Sequence, residues 1–464
     1  MGPFEASGFW HLPDVPSDQI AGVLRYSEAD GLRLSLTGSF SKESGFEPKT
    51  YGYPLIHGIV NDSPYGRAFT LVDCFRAGRT VRMPGFATEE IHANRAFSAD
   101  DFLSENDLLF DSVTVEPSAL DSWMNTTGIS YTSTGGDNTG RIIRYSRPET
   151  ISVGLDAATF EIGFGWSESV SHRSYSLREK VRVTVEHVGR LPFEELSEQY
   201  VYPLQNFFTF ATDRPNAFEN VVLRNSELHS EDGGRPMPIH HLAQPIYSVK
   251  EARKHLLPHE MLFTYEDIRE SSSTVVNGWF EFARTLRPFC LSFFGLLYAP
   301  GTFIEERFLT LIESLTLLFW GLEPNNPAVR GALDEATKTV QLLCPQKNSQ
   351  WVADAMPSSA EMDLPWNLLK ALDDRRDIMG VLIGDDPERF IDRVLATRSY
   401  CRYRGAAPRQ GAAQGGGLYW LTEKLKMLVR AVVLERIGID RDLVARLIKR
   451  NRAYDHLATI PAFD

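Results

Sequence analysis

The segment RVLATRSYCRYRG, residues 393–405, decides how the second half of this chain folds. An Asp-Pro pair shortly before it is typical of a helix start, because proline fits the first helical turn. Phe390, Val394 and Arg398 follow at intervals of four residues, which places their side chains on one stripe of a helix. The segment is therefore predicted to be a helix that ends in a cluster of arginines.

A second segment, LYWLTEKLKMLVRAVVLERIGI at residues 418–439, predicts a long amphipathic helix with several basic side chains. Its apolar side chains recur at intervals of three and four residues, the spacing of one helical face. They are Leu418, Leu421, Leu425, Leu428 and Val432. Gly438 ends the helix, since glycine readily adopts the left-handed conformation that follows a last turn.

More helices are predicted upstream of these two. The segments IEERFLTLIESLTLLFWGL (304–322) and LPWNLLKALDDRRDIMGVLIG (364–384) have the same periodicity. The most apolar window, residues 308–322, contains Glu313 and is shorter than the roughly 20 apolar residues that a membrane span needs. It therefore predicts a buried helix, and no membrane segment is expected.

The first half of the chain favours strands. Leu32, Leu34 and Leu36 alternate with polar residues after an Asp-Gly turn, which is the period-two pattern of a hairpin. Residues 67–74, 158–166 and 180–188 show the same alternation, and turn-rich stretches separate them. A largely antiparallel β domain with one buried face follows from this pattern.

The pattern changes between the two halves. Residues 191–213 have helical spacing, with Pro203 expected to kink or split the helix, and the polar stretch 225–238 is the candidate linker. The predicted fold class is α+β: a β-rich domain with a closing helix over 1–235, then an all-α bundle over 245–464.

Charge is unevenly distributed along the chain. The whole chain of 464 residues has a net charge of −13, but residues 393–452 contain fourteen Lys and Arg against four Asp and Glu. This local excess has two readings, an anionic partner near the C-terminus or an ordinary solvated helix face. The charge pattern alone does not choose between them.

Cysteine usage and the N-terminus bear on the compartment. The four cysteines are far apart and form no CxxC pair, so neither a disulfide framework nor a structural zinc site is expected. The first ten residues, MGPFEASGFW, lack the basic and apolar regions of a secretion signal. A cytoplasmic location, without metal or cofactor, is the expectation.

The arginine cluster is the first candidate site. Arg398, Arg402 and Tyr403 share one side of the predicted helix, and Arg393 and Arg404 lie within two turns. An arginine here could hold a phosphate with two parallel hydrogen bonds, or it could pair with a carboxylate at the edge of the core. Both readings remain open on the pattern alone.

The chain resembles the ApeA-like branch of the HEPN (higher eukaryotes and prokaryotes nucleotide-binding) proteins along nearly its whole length. Segments in the first half carry this resemblance: GFWHLPDVPSDQIAGVLRYSEADGLRLSLTG (8–38), AFTLVDCF (68–75) and LQNFFTFATDRP (204–215). Segments in the second half carry it too: IEERFLTLIESL (304–315), LATRSYCRYR (395–404) and LYWLTEKLKMLVRAVVL (418–434). The resemblance rests on their order and spacing taken together.

The resemblance implies a β-rich N-terminal domain, a helical HEPN domain and metal-independent RNA cleavage in bacterial antiviral defence by abortive infection. Its motif is an arginine, a polar residue and a histidine four to six residues beyond the arginine. Arg398 and Ser399 match the first two positions. The family arginine stabilises charge on the phosphorane-like transition state, and the histidine transfers protons.

The histidine is missing from this chain. Its position falls on Arg402, Tyr403 or Arg404, and neither tyrosine, with an ordinary pKa near 10, nor arginine transfers protons easily at neutral pH. On the upstream helix, Thr316 and Phe319 occupy positions where the family often has a glutamate and a histidine, which leaves Glu313 one turn earlier.

Seven residues are therefore the candidates for the site. The catalytic candidates are Arg398, Tyr403 and Glu313, and the RNA-binding candidates are Arg393, Ser399, Arg402 and Arg404.

Three other features offer weaker signals. His456 is a substitute proton carrier only if it folds back to the motif helix or reaches across a dimer. His240 and His241 are expected in a loop and have no acidic or cysteine partner at metal spacing. Residues 411–417, GAAQGGG, are expected to lead flexibly into the next helix and could form a flap beside Arg398.

Three functional hypotheses follow. The first is an RNA-cleaving toxin of antiviral defence whose β domain senses a phage-derived trigger, and the second is a degenerate HEPN protein that binds RNA or a protein without cleaving. The third, a carbohydrate-binding or other receptor, is supported only by the strand-rich first half. The expected partners are RNA, with tRNA as one candidate, and a second copy in a homodimer.

Overall fold

The computed structural model describes residues 3–27, 30–40, 52–61, 63, 66–81, 85, 87–134, 140–230, 236–242, 255–322, 359–403 and 409–461. Two compact units are present: Met1–Phe208 with Asn216–His255, and Thr209–Pro215 with Leu256–Asp464. The first unit is dominated by antiparallel strands and the second by helices, so the predicted α+β class is confirmed. The predicted domain ranges stay predictions, since a compact unit need not coincide with a domain.

The strands of the first unit all lie in antiparallel sheets. Their bounds are β1 Phe4–His11, β2 Ile20–Ser27, β3 Gly31–Leu36, β4 Gly52–Val60, β5 Ala68–Val81, β6 Ala87–Ala99, β7 Leu109–Pro117, β8 Ile129–Thr134, β9 Gly140–Tyr145, β10 Ile151–Gly154, β11 Ala158–Ser171, β12 Ser174–Pro192, β13 Phe218–Arg224 and β14 Ile239–His241. The helices of this unit are α1 Leu120–Met124, α2 Phe193–Leu196 and α3 Tyr202–Thr212, whose last four residues belong to the second unit.

Six strands close into a ring in the order β6-β3-β2-β1-β4-β5, with β5 pairing back to β6. The predicted β2–β3 hairpin is confirmed: Leu24 pairs with Leu34, and the three alternating leucines of β3 point into the core. Trp10 and Phe69 meet edge to face inside the ring, with ring centroids 6.4 Å apart. Alternation therefore places a continuous apolar core within the ring.

One end of the ring contains a buried polar network. The Arg76 Nε donates to Glu89 Oε1 at 2.5 Å, and both side chains are almost completely buried. The Tyr53 hydroxyl donates to the same carboxylate at 3.0 Å, and burial together with this carboxylate raises the pKa of Tyr53 to about 12. The backbone N–H of Phe40 donates to the other carboxylate oxygen at 3.0 Å. A buried carboxylate is thus satisfied from several elements.

The sheet continues from β6 through β14, β13, β7, β12, β11 and β10. The expectation that His240 and His241 lie in a loop is wrong, because both belong to β14, which pairs with β6 and β13. His241 is buried against Phe97 and Phe193, with ring centroids 5.1 and 4.0 Å away. A strand of three residues is too short to produce a period-two signal, which explains the error.

A helical segment follows β12. It is interrupted by a π-helical turn at Ser197–Val201, and α3 begins immediately after it with Pro203 in its first turn. The predicted split near Pro203 is therefore present. A π-type turn accommodates the irregularity that proline introduces into the hydrogen-bond ladder.

The second unit is built from helices. Their bounds are α4 Tyr265–Ile268, α5 Ser272–Thr285, α6 Arg287–Tyr298, α7 Ile304–Leu322, α8 Ser359–Asp374, α9 Arg376–Ile383, α10 Pro387–Tyr403, α11 Gly416–Arg436, α12 Arg441–Arg450 and α13 Arg452–Ala458. Of the described helices, none has the length and apolar content that crossing a membrane requires.

The central element of this unit is α11, which packs against α7, α8, α9, α12 and α13. Sequence periodicity predicted an amphipathic helix, but the structure buries nearly every side chain between residues 421 and 434. Lys424, Lys426 and Arg430 are among the buried residues. A helix can be buried on all sides despite its charges when each charge finds an internal partner.

His241 makes the stability of the chain depend on pH. Burial lowers the pKa of His241 to about 3 from an ordinary value of 6.5, so only the unfolded chain binds a proton there between these values. Well above pH 6.5 this histidine does not reduce the free energy of unfolding. The free energy of unfolding then falls progressively as the pH drops from 6.5 toward 3. At pH 5 the loss is about 2 kcal/mol relative to neutral pH.

We expect the His241→Phe variant to lose this part of the pH dependence, because phenylalanine fills the aromatic pocket without titrating. Denaturant unfolding at neutral pH and at pH 5 measures the difference, and the same substitution at the exposed His259 is the control. An identical pH dependence in His241→Phe and the parent would contradict the assignment.

Candidate functional site

The helix α10 is anchored along one face. Phe390, Val394, Thr397 and Cys401 are buried, at the spacing of a helical stripe, and the helix packs against α7 and α8. At its start, the Asp386 carboxylate accepts a hydrogen bond from the Arg389 N–H at 2.9 Å. The side chains beside this stripe are therefore presented from a fixed support.

Arg398 and Arg402 lie on one flank of the buried stripe. Arg398 is half-buried, and Arg402 is exposed one turn later, about 40° further around the helix axis at 3.6 residues per turn. Ser399 is exposed about 100° from Arg398, and Tyr403, of which 59% is exposed, lies about 140° from Arg398 around the axis. The structure therefore brings Arg398, Arg402 and Ser399 within about 100° of one another on α10, and Tyr403 lies further around the helix.

Two of the predicted RNA-binding residues lie elsewhere. Arg393 is half-buried on the opposite flank of the stripe, about 140° from Arg398 around the axis. Arg404 lies outside the described residues. The arginines that were close in sequence therefore do not all share one face.

A hydrogen bond ties the segment before α11 to α10. The Thr397 hydroxyl donates to the Arg393 carbonyl at 2.6 Å and accepts from the Ala413 N–H at 2.8 Å. Ala413 is buried, and a Cβ added at Gly411 would lie 3.7 Å from the Ala396 Cβ. The segment 411–417, predicted as a flexible entry and possible flap, is therefore anchored to α10 by the bond from Ala413 to Thr397. Thr397 is the residue directly before Arg398.

Glu313 lies on the exposed side of α7, between buried residues at 311, 312, 314 and 315. The Thr316 hydroxyl donates to the Ile312 carbonyl of its own helix at 2.9 Å, and Phe319 is buried. These are the two positions at which the resemblance implies an acid and a histidine. In this chain the first holds Thr316, whose hydroxyl bonds within α7, and the second holds Phe319, which is buried in the core. Glu313 is exposed to solvent.

His456 lies on α13 and meets Trp420 of α11 edge to face, with ring centroids 5.4 Å apart. The ring is exposed. This contact places the histidine beside the first turns of α11. The arrangement is that of a surface histidine packed on an indole.

The positive charge near the C-terminus is partly internal. Lys424 donates to the Pro461 carbonyl at 2.8 Å, and Lys426 contacts both oxygens of Glu423 at 2.9 and 3.0 Å. Arg450 binds Asp267 with two hydrogen bonds of 2.7 Å. The positive charge that is exposed to an anionic partner is therefore smaller than the number of basic residues in the sequence suggested.

Arg430 donates to the Asp213 carboxylate, a pair separated by 217 positions in the chain. Burial raises the pKa of Asp213, against the attraction of Arg430, and burial also lowers the pKa of Lys426, against the attraction of Glu423. The backbone of Asp213 is left-handed, with φ of 55°. Sequence reasoning missed this cluster because neither segment contains a local signal of the other.

Comparisons with known families match both halves of the chain. A family model described as ApeA N-terminal domain 1 matches residues 5–279, and one described as Apea-like HEPN matches residues 310–443. Searches of curated proteins and of solved structures found no match. The second range contains α10 and the candidate residues on it.

The Thr397 hydroxyl is expected to stabilise the helical unit through its bond to Ala413. Thr397→Val leaves a buried N–H without its acceptor, so the free energy of unfolding should fall by about 1–3 kcal/mol. Denaturant unfolding monitored by circular dichroism measures the loss.

Thr422→Val is the matched control. Thr422 is equally buried, but its hydroxyl only donates to the Leu418 carbonyl of its own helix, at 2.7 Å. We expect a change within about 0.5 kcal/mol for this variant. Equal losses in both variants would remove the special role of Thr397.

Proposed function

This chain belongs to the family in which an ApeA N-terminal domain is followed by an Apea-like HEPN domain, and from this premise we propose that α10 forms a metal-independent RNA-cleaving site. Membership of the family implies an effector of anti-phage defence. The proposal adds the chemistry: Arg398 binds the scissile phosphate, and RNA, with tRNA as one candidate, is the substrate. The protein then acts in the cytoplasm.

One observation carries the proposal. Arg398 and Arg402 stand on the same flank of a helix whose other face is anchored in the core. Two guanidinium groups at this spacing can engage one phosphate or two successive phosphates, each with parallel N–H donors. Ser399 adds a hydroxyl group about 60° from Arg402 around the helix axis. A fixed support matters because transition-state stabilisation depends on donors that are already in position.

The proposed reaction is attack of a ribose 2′-oxygen on the neighbouring phosphorus. The bond from phosphorus to the 5′-oxygen breaks, the 2′-hydroxyl loses its proton to a base, and the leaving oxygen gains one. Arg398 balances the charge that develops on the phosphate oxygens. Tyr403 is the candidate for proton transfer on α10, with Glu313 on α7 as the candidate acid.

The alternative is a degenerate protein that binds RNA or a protein partner without cleaving. It is favoured by the missing histidine, whose position falls on Arg402, Tyr403 or Arg404. Proton transfer by a well-placed side chain contributes about 10²–10⁴ to a rate. Without such a group, phosphate binding alone gives slow cleavage at best.

The remaining parts of the proposal concern partners. We place the sensing of a phage-derived trigger in the β-rich half and the toxic activity in the helical half. A homodimer would bring two α10 helices together, so that both copies contribute arginines to one site. In this scheme RNA degradation stops growth of the infected cell.

RNA binding tests the phosphate role of Arg398. Arg398→Ala should weaken binding of a single-stranded RNA at least about tenfold, because a charge-assisted hydrogen bond is lost. Binding by the parent should also weaken steeply with salt, since bound cations are displaced from the phosphates. Arg446→Ala, which removes an exposed arginine of α12, is the control. Binding by Arg398→Ala that equals the parent at every salt concentration would contradict the site.

Cleavage separates the enzyme from the binder. We expect induced expression in bacteria, with and without phage, to arrest growth for the parent and for Arg446→Ala but not for Arg398→Ala. Purified parent protein should produce RNA fragments in the presence of EDTA. Tyr403→Phe should retain binding and lose fragments if the tyrosine transfers a proton. Binding without fragments in the parent would favour the degenerate alternative, and arrest that persists in Arg398→Ala would remove this residue from the mechanism.

A further inference from the structure

The hairpin of β11 and β12 extends beyond the rest of its sheet. The strand β10 pairs with β11 only at residues 159–162, and β7 pairs with β12 only from Val183 onward. Within the described strands, residues 163–171 and 174–182 therefore pair only with each other. We call this two-stranded extension the ribbon, and its length is about 30 Å at about 3.4 Å per residue.

The two faces of the ribbon differ in composition. One face continues the buried side of β11 that includes Phe164, and it carries Trp166, Glu168 and Glu179. Tyr145 packs on this face, with its ring centroid 6.1 Å from that of Trp166. The opposite face, which we call the outer face, consists of the cross-strand pairs Gly163–Arg182, Gly165–Lys180, Ser167–Arg178, Ser169–Ser176 and Ser171–Ser174. None of these positions holds an acidic or an aromatic residue.

Two cations of the outer face are open to a ligand. Among the residues that the structure describes, the side chains of Arg178 and Lys180 have neither an ion pair nor a hydrogen-bond partner. Arg182, at the base of the ribbon, donates to Glu116 at 2.7 Å, and Asn220 donates to the other oxygen of the same carboxylate at 2.8 Å. The positive charge of Arg178 and Lys180 is therefore left for an anionic partner.

The outer face is also low, because its positions on β11 hold only glycine and serine. A Cβ added at Gly163 would have no described atom within 4 Å, and one added at Gly165 would meet only the Lys180 carbonyl oxygen, at 4.0 Å. The acidic side chains on the same side, Glu161 and Glu186, lie beyond the ribbon, where β10 and β7 complete the sheet. Glycine in a strand permits close approach of a ligand to the backbone.

We infer that the outer face of the ribbon binds double-stranded DNA in its major groove. This groove is about 12 Å wide and admits a two-stranded β-ribbon, whose strands lie about 4.8 Å apart. The free length of the ribbon lets it lie in the groove while the rest of the sheet stays outside. Arginine, lysine and serine are side chains that contact phosphates and base edges there. The inference goes beyond the RNA chemistry proposed for α10 and does not depend on it.

Shape and stacking favour duplex DNA over other nucleic acids, since all of them carry phosphates. The major groove of double-stranded RNA is too deep and narrow for side chains to read. Single strands bind largely by stacking their bases on aromatic side chains. The aromatic residues of the ribbon, which are Phe164, Trp166 and Tyr175, lie on the face opposite the cations.

Adjacent positions on β11 test which face binds. Ser169→Glu places a carboxylate on the outer face, and Val170→Glu places the same group one residue away on the opposite face. Both side chains are exposed in the parent, so both variants should fold. With a DNA duplex of about 20 base pairs, roughly two helical turns, Ser169→Glu should weaken binding at least about tenfold. Val170→Glu should change it by about threefold or less, because its carboxylate faces away from the phosphates.

Salt dependence tests the two cations. Arg178→Ala and Lys180→Ala should each reduce the slope of log affinity against log salt concentration by about 1, because each loses a phosphate contact. Arg67→Ala, which removes an exposed arginine outside the ribbon, should leave the slope unchanged. Fluorescence anisotropy with the purified full chain measures binding, and thermal unfolding checks that each variant folds. Arg398→Ala should bind the duplex as the parent does.

Several results would overturn the inference. A parent that does not bind the duplex at low salt would do so, and so would equal effects of Ser169→Glu and Val170→Glu. Tighter binding of single-stranded or double-stranded RNA of the same length would remove the assignment to DNA. Loss of duplex binding in Arg398→Ala, with the ribbon variants unaffected, would move the contact to α10. Failure of RNA cleavage with the duplex results intact would count only against the function proposed for α10.

Discussion

The helical unit depends on the burial of α11 together with its charges. Removing an ammonium or guanidinium group from water costs several kcal/mol unless a partner compensates. Lys424 has a backbone carbonyl, Lys426 has Glu423, and Arg430 has Asp213. These partners come from the C-terminal segment, from α11 itself and from the end of α3. The burial of α11 therefore depends on contacts between chain segments that are far apart in sequence.

The helix α11 and the candidate-site helix α10 differ in how many of their basic side chains are buried. Three of the four cations of the inner helix α11 are buried and have internal partners, and Arg436 at its end is exposed. The outer helix α10 buries one stripe, and Ser399, Arg402 and Tyr403 are exposed while Arg398 is half-buried. The two helices carry four basic residues each, so the number of basic residues does not distinguish them. Position in the bundle, more than composition, decides which cations are exposed.

Local patterns predicted much of the fold and part of the site. Alternation over residues 32–36 identified a real hairpin, and four-residue spacing identified α10 and its anchored face, because both signals are produced within one element. The Asp213–Arg430 pair and the Tyr53–Glu89–Arg76 network could not be found in this way. Their members come from different elements, and a single sequence contains no signal that joins them. The bond from Ala413 to Thr397 is of the same kind, since nothing in a glycine-rich segment indicates where its backbone is held.

The buried cations also change what variation this chain can accept. Surface lysines and arginines usually exchange freely for other polar residues, and a substitution matrix treats them as permissive positions. Lys424, Lys426 and Arg430 occupy sites where size, reach and ionisation are all constrained by neighbours. In a saturation-mutagenesis map they should group with the leucines of the interior, so that intolerance at a basic position does not by itself identify a nucleic-acid contact.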